Sequence, residues 1–252
     1  MRAILAAALA FSSVAAAAAG PAVTLTHLRG NVYVAEDRYP LGDENSAVYV
    51  GETFVTVIGA TWTPDTARLL TEAVARLTPK PIRQVIDTNN NLDRAGGNAY
   101  FRGLGARIVA TTLTRDLLQR DWTAMVAAAK RSYPEYPDVP LALPDTAYPG
   151  DFELQGGRIR GIYLGPSHAP DDIFVYFPED KVLYGGCVLK ERLGNLAQAD
   201  LVEYPKTLRR LKQLDLGYTT IIAGHWSAVH GPELVDQYLQ LLEVNRAQRA
   251  AP

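Results

Sequence analysis

Strand-length apolar runs recur through both halves of the chain with helical stretches set between them, and no other feature limits the fold as tightly. Residues 23–28, 32–35, 47–50 and 54–58 come first, rich in Val, Thr and aromatic side chains. A helix is expected over 63–77, with Pro64 at its first position and Asp65 in its first turn. A strand at 83–88, a short helix at 97–104, a strand at 107–111 and a longer helix at 114–131 follow. Between 133 and 144, Pro134, Pro137, Pro140 and Pro144 enforce an irregular connection. The second half repeats the theme with strands at 152–154, 158–164, 173–177 and 181–184. A helix at 204–214 places Leu208, Leu211 and Leu214 on one face. A strand at 219–223 and a helix at 232–249 close the chain. This order implies an α+β fold in which two sheets lie between helical layers, as a single domain over 20–252.

Composition narrows the function. The 252 residues are 48% hydrophobic and 21% charged, which excludes a disordered or fibrous chain. Lys and Arg total 25 against 27 Asp and Glu, so no broad cationic surface exists for nucleic acid or anionic lipid. The single thiol and modest charge favour a monomeric state. At the N-terminus, Arg2, an apolar run over 4–14 and small residues over 15–20 predict a secretory leader cut between 19 and 22, hence a periplasmic protein. The run is too short and too alanine-rich to span a membrane. Export makes the solitary Cys187 informative, because an unpaired thiol is a liability in an oxidising compartment. It is a small buried hydrophobe, a nucleophile or a metal ligand, and its neighbours must decide.

Four side chains able to bind metal each lie just beyond an apolar strand with glycine near by. They are Asp93, His168, Cys187 and His225. Asp, Cys and His can fill three positions of a tetrahedral zinc and leave the fourth to water, the pattern of a catalytic rather than a structural ion. Such an ion brings the pKa of bound water down to about 7. His27, in an alternating strand, and His230, beside the helix start at Pro232, read as structural residues.

At these residues the chain resembles the metallo-β-lactamase family, and within it the mono-zinc carbapenemase subclass B2. The matching stretches are GATWTPDTARLL from Gly59, DRAGGNAY from Asp93, SYPEYPDVP from Ser132, GPSHAPDDIFVYFP from Gly165, CVLKERLGN from Cys187 and GHWSAVHGPEL from Gly224. The resemblance covers essentially the whole chain after the leader and implies an αββα sandwich with the site along one edge of the two sheets. It implies a small-molecule β-lactam substrate and one zinc held by Asp93, Cys187 and His225, with Lys190 binding the substrate carboxylate and Asn195 standing near the lactam carbonyl. Trp62 corresponds to an aromatic beside the cleft, and the helix through Trp122 to a wall over it. The subclass motif is Asn-x-His-x-Asp, whereas this chain has Asn89-Asn90-Asn91-Leu92-Asp93. Of the three histidines that hold a second zinc in broader-spectrum relatives, only His168 is kept.

The amide of Asn91 cannot accept a proton at neutral pH, so Asp93 and His168 are left to handle the water. Gly186 replaces the usual asparagine before the cysteine and is expected to open the pocket floor. The alternatives are another hydrolase of the same fold, such as a thioesterase or lactonase, and a zinc-binding relative that has lost catalysis. The first carries His-x-His-x-Asp-His, where this chain has Arg94 after Asp93.

Overall fold

Alternation of side chains along each strand decides which of two layers a residue joins. The computed structural model describes residues 23–250, so the expected leader and its cleavage point lie outside the described residues. In chain order β1 (Val23–Arg29), β2 (Val32–Asp37), β3 (Glu44–Val50) and β4 (Val55–Ile58) pair as antiparallel neighbours. Then β5 (Ile82–Ile86), β6 (Arg107–Thr111) and β7 (Thr146–Tyr148) extend the same sheet in parallel, giving seven strands. The second sheet has six strands, β8 (Phe152–Leu154), β9 (Ile159–Ile162), β10 (Phe174–Phe177), β11 (Val182–Gly186), β12 (Thr220–Ala223) and β13 (Val229–His230). Only β11 and β12 are parallel there.

Parallel neighbours need a crossover, and each pair has a helical one. These are α1 (Pro64–Leu77), the short α2 (Leu92–Ala95) and α3 (Asn98–Gly103), α4 (Thr112–Ser132) and, between β11 and β12, α5 (Tyr204–Gln213). The terminal α6 (Leu234–Ala250) completes the set. Thr63 caps α1 by accepting from Thr66 N at 3.2 Å, with Pro64 in the first turn, as the sequence predicts. Thr111 caps α4 in the same way at 3.0 Å.

Val32, Val34, Ala47 and Tyr49 turn inward to meet Phe152, Val175, Phe177 and Ile222 of the facing sheet. Tyr49 stacks on Phe177 with centroids 5.6 Å apart. The intervening Tyr33, Ala35 and Val48 turn outward onto Leu70 and Val74 of α1 and Phe101 of α3. On the other outer face, Phe174, Leu183 and Ile221 pack under Leu208 and Leu211 of α5 and Tyr238 of α6. The result is the expected αββα sandwich. The proline-rich 133–144 connection is irregular, as expected, and is held by Trp122 Nε1 donating to Val139 O at 2.9 Å and Tyr136 Oη donating to Trp62 O at 2.8 Å.

Besides a 3-10 turn at Gln155–Gly157, three elements escape the sequence reading. The single turn α2, the three-residue β7 and the two-residue β13 are each too short for an apolar period to register. The strand expected at 158–164 contracts to Ile159–Ile162, and the last helix begins at Leu234. Among the described residues no helix is long and apolar enough to cross a membrane.

Candidate metal centre

Parallel pairing of β11 and β12 brings Cys187 and His225 off neighbouring strand ends, with Gly186 opposite Ala223. Two glycines make the approach close enough. Gly186 takes a left-handed φ of +49°, and a Cβ on Gly224 would lie 2.3 Å from the Gly186 carbonyl carbon. Asp93 arrives from the other sheet on α2, beyond the end of β5. That turn is pressed onto the loop before α1, since Gly97 N donates to Ala60 O at 3.0 Å and a Cβ there would stand 2.1 Å from the same oxygen.

The three donors converge. Cys187 Sγ lies 3.4 Å from Asp93 Oδ2 and 3.7 Å from His225 Nε2, and the last two atoms are 3.4 Å apart. All three candidate ligand atoms fall within 4.8 Å of one another. His225 Nδ1 donates to Asp43 O at 2.7 Å, which leaves the Nε2 lone pair facing the cluster.

Beneath them lies Arg94, fully buried, whose Nε is 3.0 Å from Asp93 Oδ2 and 3.1 Å from Cys187 Sγ. Its other nitrogens donate to the Glu44 carboxylate, to Asn45 O at 3.0 Å, to Tyr184 Oη at 2.6 Å and to Gly224 O at 2.9 Å. Burial works against a charged Asp93, yet Arg94 and His225 outweigh it and hold the carboxyl below its usual range. Burial pushes the Cys187 thiol up to about 12 and lowers His225 to about 4. Arg94 and Glu44 were not foreseen. A charge beside Asp93 reads as an ordinary surface pair, and Glu44 stands with Asn45 and Ser46 in a polar stretch ahead of the apolar part of its strand, so neither signals burial.

His168 sits in the loop between β9 and β10, which the buried Asp172 anchors by accepting from Ser167 Oγ at 2.7 Å and Ala169 N at 2.5 Å. Asp172 also accepts from Asn89 Nδ2 at 2.7 Å, and Asn89 Oδ1 accepts from Asn91 N at 3.0 Å. Asn89 is therefore a tie between two loops and not a group facing the cavity, whereas Asn91 does line it. Lys190 is 1% exposed, so it is no solvated surface charge. Its Nζ is 3.3 Å from His168 Nδ1 and 5.8 Å from the Tyr238 ring centroid. Burial, then the Lys190 charge, bring His168 down to about 3, and burial lowers Lys190 as well.

A cavity of about 540 Å³ opens over these groups, with Asp93, Cys187, His225, His168 and Lys190 in its lining. Asn195 lines it too, its Oδ1 accepting from Ala197 N at 2.9 Å so that its amide N–H groups are left to donate. Trp62, fixed by donating to Gly42 O at 2.9 Å, and Met125, Ala128 and Ala129 of α4 make the apolar wall that was expected of the helix through Trp122. Gly186 is not part of this lining; a Cβ there would meet Tyr184 and Thr88 instead, so the idea that it opens the pocket floor does not hold. His230 lies outside the cavity lining, its Nε2 2.8 Å from Ser227 O, in keeping with a structural residue.

The donor set suits a borderline metal such as zinc: one thiolate, one imidazole with its tautomer fixed from behind, and one carboxylate. Burial keeps the Cys187 thiol protonated even with the Arg94 guanidinium beside it, and a metal ion bound at the sulfur would tip it to thiolate.

The Metallo-beta-lactamase superfamily model matches residues 39–225. "Metallo-beta-lactamase type 2" of Elizabethkingia meningoseptica is 26% identical over 234 residues, covering 87% of this chain and 88% of its own. Metallo-beta-lactamase IND-1 of Chryseobacterium indologenes is 27% identical over 204 residues, covering 79% and 77%. The solved structure of FIM-1 from Pseudomonas aeruginosa in its mono-zinc form shares the fold, with a TM-score of 0.74 at 22% identity over 89% of this chain and 96% of that one. With the family model matched across most of its length and both sheets and the donor cluster in place, the chain belongs to the metallo-beta-lactamase superfamily.

Proposed function

We propose that the protein is a zinc-dependent β-lactamase that hydrolyses the amide of the β-lactam ring, carbapenems foremost, with one zinc held by Asp93, Cys187 and His225. The observation that carries this reading is the convergence of those three ligand atoms within 4.8 Å on a cavity that also holds a buried lysine. The names of the curated relatives support the metallo-β-lactamase part of this reading, while the single ion and the carbapenem preference rest on the residues of the site. When bound there, zinc supplies a Lewis acid and a water that ionises near neutral pH.

The chain's own groups supply the rest. A β-lactam carries one carboxylate, and Lys190, out of solvent, meets it as a charge-assisted donor. As an ammonium, Lys190 can only donate, so His168 Nδ1 accepts and Nε2 carries the proton. His168 thereby becomes a donor that orients water or the lactam carbonyl from the cavity wall. Asn195 offers its free amide N–H groups to the same carbonyl. Asp93, held below the usual carboxylate range, accepts and aims a proton of the attacking water more readily than it removes one. Asn91 can neither ligate well nor act as a base. With Asn89 committed to Asp172, His168 is the only imidazole left where a second ion would need three, which supports a single zinc. A leader cut between 19 and 22 would carry the enzyme to the periplasm.

Imipenem hydrolysis measured with zero, one and two equivalents of zinc tests the reading. Full activity at one equivalent with no gain at two is expected. Activity that appears only at two equivalents would overturn the one-zinc assignment. Hydrolysis of thioesters or lactones in place of any β-lactam would point to the other hydrolases of this fold, and zinc uptake without turnover to a binding protein.

A further inference from the structure

Trp226 follows the candidate ligand His225 with a φ of +58°, a left-handed backbone that a bulky aromatic residue rarely takes. Buried Asn45 enforces that turn from the facing sheet. Its backbone N–H donates to Gly224 O at 2.9 Å, while Nδ2 donates to Ala223 O at 2.9 Å and to Trp226 O at 3.2 Å. Glycine or asparagine would fit this conformation at less cost, so an indole kept here calls for a role that offsets the strain.

The side chain has one. The half-buried indole lines the same cavity as Lys190 and Asn195, and the loop carrying both rests on it. The Arg192 guanidinium carbon lies 4.5 Å from the ring centroid. At Gly194 a Cβ would stand in ordinary contact with both neighbours, 3.5 Å from Trp226 Cη2 and 3.6 Å from Lys190 Nζ, so this position of the loop lies between the indole and the lysine. Arg192 is otherwise largely in solvent, its side chain 61% exposed and paired with its neighbour Glu191 at 3.2 Å.

We propose that Trp226 is the platform on which residues 190–198 dock, with Arg192 as the latch, so that this contact holds Lys190 and Asn195 at the cavity and sets affinity for an anionic substrate. The inference rests on Lys190 binding the substrate carboxylate, as proposed above. Trp226 is on this account a positioning residue that acts through the loop, and its removal raises KM more than it lowers kcat.

The test uses the zinc-loaded protein and the variants Trp226→Gly, Trp226→Phe, Arg192→Ala and the Trp226→Gly/Arg192→Ala pair. Glycine relieves the left-handed backbone, so Trp226→Gly is expected to melt no lower than the parent, which separates loop docking from folding. Amide hydrogen exchange over 190–198 should quicken in Trp226→Gly and stay near the parent rate in Trp226→Phe. The imipenem KM should rise about tenfold in Trp226→Gly and about threefold in Arg192→Ala, with kcat changed less in both. The double variant should be no worse than Trp226→Gly alone, because both changes break one contact. Unaltered loop exchange in Trp226→Gly, or effects that multiply in the double variant, would overturn the proposal. If the parent hydrolyses no β-lactam, it is the enzymatic reading that fails, and the exchange rates alone decide whether Trp226 docks the loop.

Discussion

Arg94 is wholly out of solvent and surrounded by Asp93, Glu44, Cys187 and Tyr184, so the floor of the site is a buried ion network. Taking away one member of such a network strands the others. Arg94→Met should therefore destabilise the fold by about 3–5 kcal/mol in urea unfolding, and Arg94→Lys should recover only part, since an ammonium cannot reach the same fan of acceptors. A second buried charge behaves oppositely. Burial pushes Asp37 up to about 7 against the lowering pull of Thr66. Its folded pKa stands above the unfolded value of 3.8, so the penalty for a buried charge is absent at low pH, grows as pH climbs to about 7 and is constant beyond. Asp37→Asn should leave stability unchanged near pH 4 and raise it by about 2 kcal/mol or more at pH 8, as read by thermal unfolding at the two pH values. Asp93, Cys187 and His225 were legible in the sequence because each follows an apolar strand. Arg94, Asp172 and Asn45 were not, because what makes them matter is contact with residues far along the chain.

Among the elements, α2 is a single turn with no side-chain cap, yet it carries Asp93. Its position comes from Gly96 and Gly97, each with no room for a Cβ against the carbonyl oxygens of Trp62 and Ala60. Gly97→Ala should cost about 1–3 kcal/mol in chemical denaturation and weaken zinc binding as well, because Asp93 shifts with the turn. If zinc affinity is unchanged, the turn does not set the donor's place. Strands and long helices were readable because they are buried on two faces or carry recognised caps. The short α2, β7 and β13 lack enough residues to show a period, and only their neighbours hold them in shape. Asn89 shows the same limit at the loop level. Its place in a ligand motif suggested a lost metal contact, while the structure uses its amide to tie the loop before α2 to the one that bears His168.

At the scale of the whole molecule, Asp93 leaves the seven-stranded sheet and Cys187 and His225 leave the six-stranded one. An ion bound by all three would pin the sheets together at one edge. Removing zinc with a chelator should lower the melting temperature by about 10 °C from a state in which free zinc exceeds Kd by about a thousandfold, given about 4 kcal/mol of linkage and about 2–4 °C per kcal/mol for a chain this long. An unchanged transition would show that the three donors do not act as one site.

The split origin of the donors has a bearing on assembly. A chain with only its first half in place owns a lone carboxylate, and its second half by itself owns a thiol and an imidazole, neither of which makes a complete chelate. Metal capture at this site would then report that the two halves have packed against each other.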